Sequence, residues 1–197
     1  LRDGNSRYMA TYGAQIEDAS YADVVWEATY DSDKTRSVHI VNSEPVYADG
    51  YIYLRTGDIE GNALVAVYDG GGKLLWSWHL WVTDDDISHS SANGLEWMDR
   101  NLGALSNNMD DVANRGMLYQ WGRKEPFVGP QAYNFPGNND CVLYSESGWG
   151  NINIEYVDST AEHGTVEWAV ANPLALIKGY KDNDYNWLYD GDDELWN

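Results

Sequence analysis

Residues 61–84 read GNALVAVYDGGGKLLWSWHLWVTD, and this stretch decides the fold class. Two runs rich in branched and aromatic residues, 62–68 and 74–82, flank Asp69-Gly70-Gly71-Gly72. Pleated strands favour such side chains, and glycines supply the backbone freedom a tight reversal needs, so the segment predicts an antiparallel hairpin. Side chains alternate along a strand. Leu74, Trp76, Trp78, Leu80 and Val82 therefore share one face, and Leu75, Ser77, His79, Trp81 and Thr83 share the other. The first face is expected in the core, with Trp76 and Trp78 structural. The second is mixed and suits packing against another layer.

Upstream, 24–30 (VVWEATY), 37–41 (SVHIV) and 51–55 (YIYLR) read as further strands, with Ala48-Asp49-Gly50 as a turn and another strand near 7–11. Strands at this spacing predict an antiparallel β-sandwich domain over residues 1–86. Downstream the pattern changes. The polar run 84–93 ends that unit, and 95–102 (LEWMDRNL) reads as one strand. Residues 110–122 give the best helical pattern: Asp110 or Asp111 can cap it, Val112, Leu118, Tyr119 and Trp121 supply apolar positions, and Gly116 weakens it. A short helix is expected at 165–172 (TVEWAVAN), stopped by Pro173. Residues 128–163, rich in Gly, Asn, Asp and Ser, read as loops. The whole is expected to be α+β and mostly β, with a second domain over 87–197.

Composition narrows the function. The chain has 32 Asp and Glu against 12 Lys and Arg, a formal net charge of −20. That field repels phosphate backbones and anionic lipid, so nucleic acid is not expected as a partner. Cys141 is the one cysteine, so no disulfide can close within the chain and no thiolate zinc site can form. No run of about 18 apolar residues exists to span a bilayer. The chain begins at Leu1, so a processed piece with a signal or lipid anchor upstream is expected. There are 10 Trp and 15 Tyr but only 2 Phe. Trp and Tyr combine an apolar body with a polar tip, which suits half-wet binding surfaces as well as cores.

Motifs for catalysis are missing. His39, His79, His89 and His163 are scattered, with no HExxH spacing, and no GxSxG, P-loop or GxGxxG pattern occurs. Acid clusters at 84–86, 138–140, 182–184 and 190–194 could collect oxygen ligands, which makes Asp182, Asp184, Asp190 and Asp192 candidates for Ca²⁺, the one cofactor the sequence suggests. An EF-hand loop counted from Asp182 fails, because Trp187 and Asp193 stand where Gly and Glu belong. Solvated acidic loops explain the same residues. The run containing Trp97, Asp99 and Arg100 is read as structural, with Asp99 paired to Arg100 or Arg123. The candidate ligand surface comprises Trp121, Arg123, Trp149, Asn151 and Trp187.

Taken together, residues 61–84, 96–104 (EWMDRNLGA) and 116–127 (GMLYQWGRKEPF) resemble a group of exported Bacteroidetes surface proteins, many of them lipoproteins or fimbria-associated; the last two look like the Fibrobacter major paralogous domain. Residues 166–176 and 186–197 are similar to the downstream segments of proteins in that group. The resemblance implies a C-type-lectin or formylglycine-generating-enzyme-like fold over the second domain, and a further segment beyond Asn197 that would complete it. The functional expectation is a non-catalytic cell-surface adhesin or glycan-binding module whose partner is a glycan or a host or bacterial surface protein. A structural subunit of a fimbria is the alternative, and a glycoside-active enzyme the second alternative.

Overall fold

The computed structural model describes residues 16–30, 39–83, 87–127, 141–145, 148–149, 155–179 and 186–189. The described chain is mostly β. Its strands are β1 (Tyr21–Tyr30), β2 (Val46–Ala48), β3 (Tyr51–Tyr53), β4 (Gly61–Tyr68), β5 (Leu74–Val82), β6 (His89–Ala92), β7 (Leu95–Met98), β8 (Leu118–Tyr119), β9 (Pro126–Phe127), β10 (Cys141–Ser145), β11 (Gly148–Trp149), β12 (Glu155–Asp158) and β13 (Ala175–Lys178), with one helix, α1 (Val166–Ala171). The expected strand at 7–11 lies outside the described residues.

The glycine hairpin forms as its sequence requires. Antiparallel β4 and β5 pair from Gly61↔Val82 to Tyr68↔Leu74. Asp69 organises the reversal: its Oδ1 accepts from the amides of Gly71 and Lys73, both at 2.8 Å. β4 and β5 belong to a five-stranded antiparallel sheet in the order β11-β10-β1-β4-β5. In this sheet β10, from the second half of the sequence, pairs with β1 from Trp26↔Ser145 to Tyr30↔Cys141. Hydrogen bonding therefore crosses the expected domain boundary at residue 86.

Both faces of the sheet are covered, which explains why β4 is buried along almost its whole length. One face carries Trp26, Ala28 and Leu64 under Met117, Tyr119 and Leu174. The other carries Ala63, Val65 and Leu80 under Val41, Ile52 and Leu54. The β2–β3 hairpin contributes Ile52 to that packing, and it turns at Asp49-Gly50 with both residues at positive φ (53° and 80°), as the turn at 48–50 predicted. Only Val41 of the expected 37–41 strand takes part in pairing, as an isolated bridge to Thr56; residues 37 and 38 are not described.

Two expectations for β5 need correcting. The register slips between Val67 and Tyr68: Tyr68 faces Leu74 while Val67 faces Trp76. Leu75 is the extra residue of a bulge, so the alternation shifts phase there. Trp76 is 37% exposed rather than core, while Ser77, on the supposedly mixed face, is 2% exposed. Trp78 is half-buried. The two-sided packing of the sheet removes the single core face that strict alternation assumed.

The helix expected over 110–122 does not form. Val112–Asn114 makes one 3-10 turn, and Leu118–Tyr119 pairs with Pro126–Phe127 as β8 and β9. Gly116 is the reason: it sits at φ +69° and packs so closely that a Cβ would lie 2.6 Å from the Leu102 carbonyl oxygen. That backbone shape cannot continue a right-handed helix. The 95–102 strand is also shorter than expected: it pairs with β6 across the Asn93-Gly94 turn and ends at Met98.

A second core lies further along the chain. β12 and β13 pair in parallel and are connected through α1, giving a small β-α-β unit. Val157, Ala169, Ala175, Ile177, Trp187 and Leu188 fill it. α1 matches the expected 165–172 helix: the Thr165 hydroxyl accepts from the Trp168 amide at 3.1 Å as N-cap. Among the described residues, no helix is long and apolar enough to cross a membrane. A Gly116→Ala variant should lose about 2 kcal/mol or more of unfolding free energy in urea titrations, from positive-φ strain plus the clash with Leu102; an unchanged midpoint would contradict the backbone assignment.

Candidate functional site

The Asn93-Gly94 dipeptide builds an exposed hairpin. Both residues have positive φ (54° and 76°), the conformation a two-residue hairpin turn selects Asn-Gly for. β6 and β7 are exposed at every residue, with Trp97 55% and Leu95 58% exposed. The hairpin continues through the Asp99 amide, which donates to the Ser88 carbonyl at 3.0 Å.

At its base lies an ion pair. Arg100 Nε donates to Asp99 Oδ1 at 2.8 Å and Nη2 to Oδ2 at 3.1 Å, a two-pronged contact. The Arg100 side chain is 2% exposed and that of Asp99 17%. The Arg100 guanidinium, joined by the Ser88 hydroxyl and amide, holds the Asp99 carboxyl well below the usual carboxylate range. The structural pairing expected of Asp99 is therefore present, with Arg100 as its partner. Trp97, expected to be structural, instead projects outward.

Beside this pair runs an open groove of about 500 Å³. Trp97, Asp99, Arg100, Asn107, Met109 and Asn114 are among its lining residues. Asn101 steadies one wall, its Nδ2 donating weakly to the Asn114 and Arg115 carbonyls at 3.4 and 3.5 Å. The lining offers an indole, thioethers and carboxamides, chemistry that suits holding a ligand.

Three of the residues expected at the ligand surface do meet, but as framework and not as a binding face: the Arg123 guanidinium lies 6.0 Å from the centre of the Trp187 ring, and the Trp187 indole bonds the Trp121 backbone. Trp121 is 76% exposed, on the turn after β8, and does not line the groove. Arg123 is buried, and needs to be: its guanidinium donates to the carbonyls of Ala175, Ala169 (3.1 Å) and Asn172 (3.2 Å), satisfying the C-terminal end of α1. Trp187 is 1% exposed within the second core, and its Nε1 donates to the Trp121 carbonyl at 2.7 Å. Both are framework residues. The Trp149 backbone forms part of β11, while Asn151, Asp182, Asp184, Asp190 and Asp192 lie outside the described residues. No group of acids and histidines able to hold a metal ion occurs among the described residues.

Two polar assemblies escaped the sequence. Lys124 Nζ donates to Glu125 Oε1 (2.6 Å), to the Ser77 hydroxyl (2.8 Å) and to the Ser77 carbonyl (3.0 Å), and lies 4.2 Å from the centre of the Trp76 ring. Burial lowers the pKa of both Lys124 and Arg123, and the Glu125 charge counteracts it. Lys124 and Glu125 lie in a short charged run with no periodicity of its own, so nothing in it announced an interior network. The second assembly is a relay. His79 Nε2 bonds Asn62 Oδ1 at 2.8 Å, and Asn62 Nδ2 donates to the Gly103 carbonyl at 2.8 Å. Asn62 must therefore accept through Oδ1, which places the proton on Nε2 and leaves Nδ1 to accept from the Tyr119 hydroxyl at 3.0 Å. Every group in the relay is satisfied with the imidazole neutral.

A scan against models of known protein families found no match, and searches of curated proteins and of solved structures returned no similar chain.

Burial pulls the His79 pKa down to about 4 from its ordinary 6.5. The unfolded chain therefore takes up the proton first as pH falls, so this contribution is whole above about pH 6.5 and fades toward pH 4. The full span is worth up to about 3 kcal/mol. Urea unfolding from pH 7.5 to 5 should show stability falling with pH, and His79→Phe should flatten part of that slope; an identical slope in the variant would show that His79 is not held neutral.

Proposed function

We propose that this chain is a non-catalytic binding module displayed outside the cell, that its ligand is a glycan, and that the groove beside Trp97 is the seat. The observation that carries the reading is a half-exposed indole standing over a groove lined by a two-pronged, largely buried ion pair. Sugars present apolar C–H faces that stack on aromatic rings, and hydroxyls that exchange hydrogen bonds with carboxamides. The Asp99–Arg100 pair gives that surface rigidity, because both side chains are held by two charge-assisted bonds before any ligand arrives. Among the described residues, the one carboxylate lining the groove is bound to Arg100 and Ser88 and is not offered as an acid or base, which weighs against a glycosidase.

A lectin-like organisation of the second half and an upstream anchor belong to the same proposal. They rest on the resemblance of residues 96–104 and 116–127 to exported surface proteins. One observation favours the reading as an assembly subunit: β5, nine residues long and aromatic-rich, ends the strand order of the main sheet. Edge strands accept further strands through their outward backbone groups. Concentration-dependent self-association that a β5-directed variant abolishes would move the weight to that reading.

A glycan array followed by calorimetry on the best hit tests the main proposal. Trp97→Ala should weaken binding about tenfold or more, with an unchanged circular dichroism spectrum because Trp97 makes little core contact. Full binding by the variant, or no binding to any glycan by the unmodified chain, would refute it.

A further inference from the structure

We infer that the groove beside Trp97 selects uncharged saccharides and rejects acidic ones such as sialylated, uronic or sulfated glycans. This rests on the groove being the glycan seat proposed above, and on how each polar group there is already employed.

Among the described residues, Arg100 is the one cation lining the groove. Its side chain is 2% exposed, and two of its nitrogens are bound to Asp99. An anionic ligand meets almost no exposed guanidinium, and uncovering one would disturb that pair and leave the Asp99 carboxylate without its main partner. Removing one member of a buried pair is far costlier than losing a surface contact. An acidic sugar bound without Arg100 would lose water around its charge and gain no counter-charge. It would also approach against the field of a chain with net charge −20.

Neutral groups remain available. The side chains of Asn107 and Asn114 line the groove and make no hydrogen bond among the described residues. Each carboxamide brings two donors and an acceptor, matched to sugar hydroxyls and carrying no net charge. Trp97 supplies the stacking face, and Met98 and Met109 supply adaptable apolar contact. Discrimination thus comes from what is spent as much as from what is free: the charged pair is committed to the framework, and the groups left for the ligand are neutral.

The test uses the whole chain and matched pairs of oligosaccharides differing only in one acidic group, titrated by calorimetry at about 20 and about 150 mM salt, with Asn107→Lys as the reporting variant. The neutral member of each pair should bind at least about tenfold more tightly, and the gap should narrow at the higher salt as the long-range repulsion is screened. Asn107→Lys should recover binding of the acidic member, because it adds an uncommitted cation at an exposed position where folding is not at stake. Equal or tighter binding of the acidic member by the unmodified chain would overturn the inference while leaving the groove as a glycan seat. Binding of neither member, for any pair, would overturn both.

Discussion

Arg123, Lys124 and Glu125 occupy three consecutive positions, and each holds a different part of the chain. Arg123 gathers the carbonyls of Ala169, Asn172 and Ala175 from the second core. Lys124 reaches the opposite way, to Ser77 on β5. Glu125, 2% exposed, lies between them, 2.6 Å from Lys124 Nζ and 3.6 Å from Arg123 Nε. Three charges drawn out of water in series are expensive unless each is paired. The charge pairs are local, but the bonds from Arg123 to the second core and from Lys124 to Ser77 form together only when the sheet and the β12-α1-β13 unit sit as they do, so the network specifies one arrangement of the two cores.

That arrangement fixes the rest. With residues 120–127 clamped, Tyr119 reaches His79 across the sheet and Met117 packs on Trp26 and Leu64. The Met117 amide then donates to the Leu102 carbonyl, which ties down the turn that follows the Asp99–Arg100 pair. The exposed groove is therefore supported from beneath by backbone contacts that trace back to the clamp. A binding surface set on such a framework loses little freedom when a ligand arrives.

The local signals in the sequence were legible where one physical rule acted alone. The triple glycine, the 48–50 turn and the 165–172 helical run ahead of Pro173 each produced the element they imply. Reading failed where long-range packing decided. Trp76 and Ser77 exchanged roles because both faces of the sheet are covered and Leu75 bulges. The 110–122 segment has helical periodicity, but Gly116 is held at positive φ against Leu102. Arg123 and Trp187 looked like ligand residues because a cation and an aromatic beside polar loops often are, yet helix-end carbonyls and an apolar core claimed them. The groove has a signal of its own in the sequence: Asn93-Gly94, the strongest short hairpin cue, aims Trp97 outward. Asn107 and Asn114 carry no such cue, since loop carboxamides have no period to read.

Amide hydrogen exchange on the intact chain and on Arg123→Met tests the clamp most directly. If it unites the two cores, the slowest amides of β4 and of β13 in the unmodified chain should open with the same free energy. In Arg123→Met those of β13 should fall by roughly 3 kcal/mol while those of β4 fall less, because the variant removes the bonds donated to three carbonyls of the second core and one of the two cations beside Glu125. Separate opening energies in the unmodified chain, or a variant in which both sets exchange as before, would contradict the claim that these buried charges hold the molecule together.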